Sequence, residues 1–488
     1  MSDPAVLDAP GATPTYLGAG KHPVDEVLPA RQMLTLGLQH LFIMYAGAVA
    51  VPLIVGPAVH LGKHDIGLLI GADLLVAGVC TFIQAVGIGK LFGVRLPVVA
   101  GATFTVVSPM ISISDQFGLR SFYGALLISG VFGLLIAKPF SMILRFFPPL
   151  VTGTVIAVIG LSLIGADVGL IAGNDPTAAS YGAVSHILLA GFVVLMIVVV
   201  TRLFEGFISQ IAVLLAILLG TLLAWPMGLL HFSSVNTVNW FGGPSIFHFG
   251  GPKFQASAII SMCIVILVTY TESTADMLAV SEMVGKPVSP GELARGLRTD
   301  GLSAFIASFT NSFPDTAYAE NVGIVGMTGV RSRWVVAVCG VFLVILGLIP
   351  KVSQVIADIP GPVIGGAATV MFAMVTAIGI RTLAKVNFEG NNNLLIVAVS
   401  LSIGLIPAVA PTFYSKFPSN FQVIFGSSIT STVIIVFVLN LVFNHWVNWP
   451  PRAGMLRTAM RYGAVTPAET PASTSAVSAV AERPQTSS

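Results

Sequence analysis

The chain has 488 residues, 55% of them hydrophobic and 9% charged, with a formal net charge of +2 and a mean hydropathy of +0.91. Such a composition excludes a soluble globule and points to a polytopic membrane protein. The small, dispersed charge leaves nucleic-acid binding without a basic patch. Cys80, Cys263 and Cys339 lie far apart in apolar stretches, where packing explains them better than a disulfide or a metal.

The first 30 residues are polar and contain proline, with no apolar core behind a positive stretch, so no cleavable signal peptide is expected. A spanning helix needs about 20 apolar residues, and the apolar runs make about fourteen such segments. They fall at 32–55, 66–89, 97–115, 121–144, 148–171, 182–202 and 206–229. After a longer polar connection at 230–256 come 257–284, 291–311, 314–329, 333–357, 360–383, 392–411 and 421–444. With both termini in the cytoplasm, twelve Lys and Arg fall on inside loops and helix ends and five outside, the other six of 23 lying in the tails. That bias is the positive-inside pattern and supports an even number of spans.

Seven and seven spans form a duplicated unit only if the second copy is inverted, as in many secondary transporters. Pro149-Leu-Val-Thr-Gly153 and Pro362-Val-Ile-Gly-Gly366 open corresponding helices, and the third and tenth spans are both short and glycine-rich. The tail beyond Pro450, rich in Ala, Ser, Thr and Pro, is expected to be disordered.

Polar residues inside these spans carry the functional signal, because an ionisable side chain at membrane depth costs several kcal/mol. The stretch from Phe313 to Arg333 holds Asp315, Glu320 and Asn321 among Pro314, Gly323, Gly326 and Gly329. A broken segment with polar groups at its break suggests a binding site near the midplane. In the eighth span Glu272 and Asp276 are four apart, on one helical face. At low dielectric the pair reads as a proton site, although each could instead cap a broken helix or bond a hydroxyl. Asp300 follows Arg295 and Arg298, so a local ion pair competes with a coupling role; Asp73 has no partner visible in sequence. Gln39 and His40 lie in the first span, where His40 could simply pack or could tune proton coupling. In the third span Gly101-Ala-Thr103-Phe104 offers close backbone approach and one aromatic face, which suits a planar heterocycle.

Taken together, these residues resemble those of the nucleobase-ascorbate transporter family, the proton-coupled uracil, xanthine and uric acid permeases. The segment Glu320-Asn321-Val-Gly323-Ile-Val-Gly-Met-Thr328-Gly329 is similar to its signature, and Gln39-His40, Glu272 and Asp300 fall in the family's order. The resemblance implies an all-α fold of fourteen transmembrane segments in two inverted seven-segment repeats, with short extended strands in segments 3 and 10. A core domain would comprise 31–147 and 257–358 and a gate domain 148–256 and 359–445, between cytoplasmic tails at 1–30 and 446–488. It implies that Glu272 and Glu320 hold the two edges of a base. Thr103, Phe104 and Ala319 would offer backbone amides, Phe104 would stack, and Asn321, Asp276, His40, Gln39 and Asp300 would shape the site or couple it to protons.

By the same resemblance, Glu320 is the residue of uracil members and some purine members and Asp276 that of purine members, while the GATF segment and Gly329-Val-Arg-Ser-Arg333 look more like the xanthine and urate branch. The expectation is therefore proton-coupled uptake of xanthine or uric acid across the plasma membrane, driven by the proton gradient with no cofactor or metal. A homodimer through the gate is implied by the resemblance. A uracil symporter is the alternative, with an inorganic anion exchanger or passive channel more distant. An enzyme lacks support, since no His-x-x-x-His, clustered Cys or Gly-x-Ser-x-Gly occurs.

Overall fold

The computed structural model describes residues 22–143, 147–174, 177–230, 232–389 and 391–445. The N-terminal tail up to residue 21, the C-terminal tail from 446 and Arg145 of the charge count lie outside the described residues.

The unit ending at Asn440 is built almost wholly of helices. A 3-10 turn at Pro23–Asp25 precedes α1 (Ala30–Ala58) and α2 (Lys63–Val86). Strand β1 (Ala100–Ala102) runs through a 3-10 turn at Phe104–Val106 into α3 (Val107–Phe117). Next come α4 (Leu119–Ile143), α5 (Pro149–Ser162), α6 (Ile164–Ala172), α7 (Val184–Leu203), α8 (Phe207–Gln210) and α9 (Ala212–Ala224). The second half repeats the theme with α10 (Ala256–Val284), α11 (Pro290–Thr310), strand β2 (Asp315–Ala317), α12 (Ala319–Thr328), α13 (Arg333–Gly347) and α14 (Pro350–Ala357). It ends with α15 (Gly361–Leu383), α16 (Asn393–Val409), α17 (Ser419–Phe425) and α18 (Ser428–Asn440). Leu441–His445, described by itself, is a π-helical turn.

Among the described residues, seven helices are long and apolar enough to cross a membrane, or nine if the bent pairs α13/α14 (80°) and α17/α18 (76°) each count as one. The other expected positions hold different elements for identifiable reasons. Glycine and proline break 97–115 and 314–329 into a strand followed by a short helix. The apolar helices α9 and α16 are shorter than a full span. Helix α11 is 21 residues long, but Glu292, Arg295, Arg298 and Asp300 make it too charged to be recognised by composition.

Sequence marks several helix starts. Pro149 is the first residue of α5, and Pro362 is the second of α15. Proline is favoured there because the missing N–H would lack an intrahelical partner anyway. Ser289 and Glu292 close a capping box ahead of α11.

Apolar side chains gain little by leaving lipid for protein, so helices in a membrane associate through close packing at small residues. Helix α2 packs on α13, α4 on α11 and α5 on α15, and glycine lies at every one of these crossings. A Cβ on Gly78 would stand 2.6 Å from Val344 N, one on Gly130 2.6 Å from Phe305 N, and one on Gly379 2.4 Å from Ala157 N. The backbones touch, and any larger residue must push them apart. Gly78→Leu is therefore expected to cost about 1–3 kcal/mol as an overpacked core site. Detergent-solubilised protein should melt several degrees lower, whereas Gly62→Ala, with nothing within 4 Å of its Cβ, should leave the melting temperature in place.

Candidate functional site

The site is organised by the one place where the backbone abandons the helix. Strands β1 and β2 pair antiparallel, Ala100 opposite Ala317, Gly101 opposite Thr316 and Ala102 opposite Asp315. The pairing extends at both ends: Thr103 N donates to Pro314 O and Tyr318 N to Val99 O, each at 3.0 Å. Each strand leads directly into a helix. Because the strands run oppositely, α3 and α12 diverge and leave their N-termini at the two ends of the ladder. Neither helix has a side-chain cap. Some first-turn N–H groups are taken, Thr105 N by Thr103 Oγ1, Val107 N by Phe104 O and Asn321 N by Tyr318 O, but the positive end of a helix dipole flanks this position twice.

Surrounding side chains lock the ladder. Ser273 Oγ on α10 accepts from Ala317 N at 3.0 Å, and Thr81 Oγ1 on α2 accepts from Ala100 N at 2.9 Å. Tyr318 OH donates to Ala102 O at 3.0 Å, with its ring lying over Gly101 and Gly47, where any Cβ would come within 2.5 and 2.7 Å of ring carbons.

Glu272, half-buried on α10, accepts from Thr105 Oγ1 at 2.8 Å and Thr103 Oγ1 at 3.2 Å. Thr103 Oγ1 in turn accepts from Thr105 N at 3.1 Å, which fixes both hydroxyls. Asp276, one turn along α10, lies within electrostatic reach of Glu272, Glu320 and Arg381. Glu320 is the second residue of α12 and is exposed, although Tyr318 and Asn321 beside it are buried. The three acids therefore converge on an accessible space, and half-buried Ala319 starts α12 next to it. Phe104 meets Phe372 of α15 edge to face, with ring centroids 5.6 Å apart at 88°. That contact brings α15 against the turn that follows β1.

His40, buried on α1, forms a second layer. Its Nδ1 is 2.5 Å from Asn321 Oδ1, and Asn321 Nδ2 donates to Pro97 O at 2.8 Å. Because the amide nitrogen is committed to Pro97, Oδ1 is the acceptor and His40 donates from Nδ1. Gln39 is half-buried on α1, away from the bonds that hold His40 and Asn321. Asp300 does not pair with its neighbouring arginines: Arg295 bonds Glu292 at 3.3 Å, and Asp300 accepts from Gln84 Nε2 at 3.1 Å.

Sequence reasoning missed Thr105, Ser273, Tyr318 and Gln84. Each touches a predicted residue or the ladder, yet threonine, serine, tyrosine and glutamine carry no signal until the fold places them. The Thr-x-Thr spacing of 103 and 105 was the one available hint.

Comparison with known proteins adds to this geometry. Residues 31–413 match the Xan_ur_permease model, described as a permease family. The chain belongs to that family, the nucleobase-ascorbate transporters. It is 40% identical over 424 residues to the uric acid transporter UacT of Escherichia coli, covering 86% of this chain and 88% of that protein. Over 414 residues it is 39% identical to the uric acid permease PucK of Bacillus subtilis, covering 85% and 96%. It is also 39% identical over 411 residues to a xanthine permease of Bacillus subtilis, covering 84% and 93%. In fold it resembles the transmembrane domain of the cyanobacterial bicarbonate transporter BicA, with a TM-score of 0.53 at 13% identity over 86% of this chain and 98% of that one. SLC26A9 is similar too, with a TM-score of 0.58 at 11% identity over 84% of this chain and 64% of that one. The protein is thus an all-α membrane permease and not an enzyme.

The two hydroxyls on Glu272 generate a prediction for this permease. Thr105→Val removes the shorter donor and leaves an under-satisfied carboxylate, a loss of about 1–3 kcal/mol. Initial-rate uptake of a bound substrate should show KM raised roughly 5- to 150-fold, with cell-surface protein unchanged.

Proposed function

We propose that the permease takes up an oxidised purine, uric acid or xanthine, together with a proton across the plasma membrane. The observation that carries this reading is the meeting of Glu272, held by Thr103 and Thr105, with two half-helix N-termini at the ends of the ladder. An oxidised purine is a flat ring bearing carbonyl acceptors and N–H donors. Backbone amides at Phe104 and Ala319 suit the carbonyls, whereas that of Thr103, expected to join them, is taken by Pro314 O in the ladder; the carboxylates of Glu272 and Glu320 suit the ring N–H groups. Phe104 supplies a face for stacking. The relatives described above carry names of uric acid or xanthine transport, and none of those three names uracil. A small inorganic anion could use the helix N-termini but would offer no N–H groups to Glu272 and Glu320 beside them, so the bicarbonate function of a fold relative suits this site less well.

The same reading holds the chain to be fourteen segments in two inverted repeats, with both termini cytoplasmic. Packing supports it. Helices α2 and α11 would be equivalent second and ninth segments, and α13 and α4 the eleventh and fourth, so the α2/α13 and α4/α11 crossings would be symmetry mates. Helix α5 against α15 would pair the equivalent fifth and twelfth segments, and β1 against β2 the third and tenth. A core of α1–α4 and α10–α14 would carry the acids and the ladder, and a gate of α5–α9 and α15–α18 would carry Phe372.

Coupling follows if the substrate and the proton each favour the same facing state, because a ligand shifts an equilibrium only through its differential affinity. Asp276, His40 and Asn321 would tune how Glu272 and Glu320 hold the proton, and Asp300 would act through Gln84.

In a host lacking its own carriers, labelled uric acid or xanthine should accumulate against a gradient and a protonophore should abolish the accumulation. Unlabelled uracil should compete poorly. Glu272→Gln loses a hydrogen bond to a charged group, worth about 1.5–3 kcal/mol, so uptake should drop roughly 10- to 150-fold. Undiminished uptake by that variant at normal surface expression refutes the role of Glu272, and accumulation of uracil in preference to both purines refutes the substrate.

A further inference from the structure

The ladder has a second polar side that the substrate site does not use. Asp73 on α2 and Asp315 on β2 are both 0% exposed, and Asp300 on α11 is 2% exposed. One oxygen of each is held: Ser312 Oγ donates to Asp73 Oδ1 at 3.2 Å, Ser303 Oγ to Asp315 Oδ2 at 2.7 Å and Gln84 Nε2 to Asp300 Oδ1 at 3.1 Å. The other oxygen of Asp73 has no partner, and those of Asp300 and Asp315 have none closer than the approach of the Ser273 hydroxyl and the Cys80 thiol to these carboxyls; the buried hydroxyl of Tyr123 on α4, which faces Asp73, is also unpartnered. Asp73 and Asp315 interact electrostatically with one another. The remaining titratable groups facing them are Cys80 on α2, Tyr123 on α4, Asp300 on α11 and Tyr318 after β2. No Lys, Arg or His side chain pairs with Asp73, Asp300 or Asp315 among the described residues.

A buried carboxylate with no cation costs several kcal/mol, and a buried acceptor without a donor calls for a proton or a water to fill it. A proton held by either carboxyl removes one charge and relieves the repulsion the two exert on one another. We propose that Asp73 and Asp315 share a second proton-binding site, separate from Glu272, on the α2 and α11 side of the strand pair. The proposal rests on the proton-coupled reading above and extends it. The connection to the substrate site is short: Asp315 pairs with Ala102 across the ladder, Pro314 O accepts from Thr103 N, and Thr103 Oγ1 donates to Glu272. A charge appearing at Asp315 strains the strand that positions this donor.

The test uses the full-length protein in liposomes, comparing wild type with Asp73→Asn, Asp315→Asn and the double variant. Counterflow exchange of labelled uric acid reports binding and movement, and net uptake at a series of external pH values, with and without an inward proton gradient, reports coupling. Asparagine keeps the size of the side chain and the bond to Ser312 or Ser303. Expected for each single variant is counterflow within about threefold of wild type, gradient-driven uptake reduced at least tenfold, and a flat pH profile, with the double variant no worse than either single. A single variant with intact counterflow and the wild-type pH profile overturns the proposal. Where an asparagine variant does not reach the membrane, the Glu exchange at that position is measured instead: a displaced pH midpoint supports the shared site and an unmoved one overturns it. A wild-type protein whose uptake ignores the proton gradient shows a different failure, that of proton coupling itself, before any variant is made.

Discussion

Everything in the site depends on two three-residue strands satisfying one another's backbone groups inside a body of apolar helices. Unpaired N–H and C=O groups at membrane depth are costly, so extended backbone persists there only where other protein covers it. Here β1 and β2 are each the other's partner, and Ser273 and Thr81 take donors left over at Ala317 and Ala100. The alternative, continuous helices through 97–115 and 314–329, would have hidden the first-turn amides of α3 and α12. The strands bring helix N-termini to the middle of the molecule, and with them a local preference for acceptor-rich or anionic groups.

The acids divide between two environments. Glu272, Asp276 and Glu320 border accessible space, whereas Asp73, Asp300 and Asp315 are enclosed. In both places hydroxyls or an amide hold the carboxyls: Thr103 and Thr105 for Glu272, Ser312 for Asp73, Ser303 for Asp315 and Gln84 for Asp300. Replacing an ion pair by a hydroxyl contact has a consequence. A salt bridge would fix each carboxylate in its charged form, but a neutral donor leaves room for the carboxyl to gain and lose a proton. That is the condition a proton-coupled carrier requires.

Much of this was legible from local chemistry. Proline and glycine around Asp315 and Glu320 marked a broken segment, and the structure has β2 and α12 there. Pro149 and Pro362 marked helix starts, and both stand in the first turn of their helices. What could not be read was partnership across the chain. Asp73 meets Ser312, 239 residues away, and Gln84 meets Asp300, 216 residues away, so neither pairing leaves a periodic trace. Asp300 shows how local reasoning fails. Arg295 and Arg298 suggested an ion pair, but the capping box holds Glu292 where Arg295 can reach it, one turn nearer the helix start. Asp300, farther along α11, then turns to α2 instead.

The two kinds of helix contact bear on how such a body could move. Within the α2/α13, α4/α11 and α5/α15 pairs, glycine lets backbones touch, and sliding one helix past the other would drive side chains into backbone atoms. Between α3 or α10 and the α17–α18 pair the contacts are of another type. Ser108 bonds Ser427 at 3.4 Å, Ser257 bonds Asn420 at 2.9 Å and Ser261 bonds Thr430 at 3.1 Å. Such bonds are worth about 0.5–1.5 kcal/mol each, and a hydroxyl that loses one partner can turn to another or to water. Phe104 against Phe372 adds an edge-to-face contact that gives way without exposing a charge. The resistance to shear is thus lowest along the boundary beside Glu272 and highest inside the groups on either side of it. If the substrate is held by the ladder and its acids, the least costly large motion carries the ladder, the acids and the bound ring together past α15 and α18, as alternating access demands.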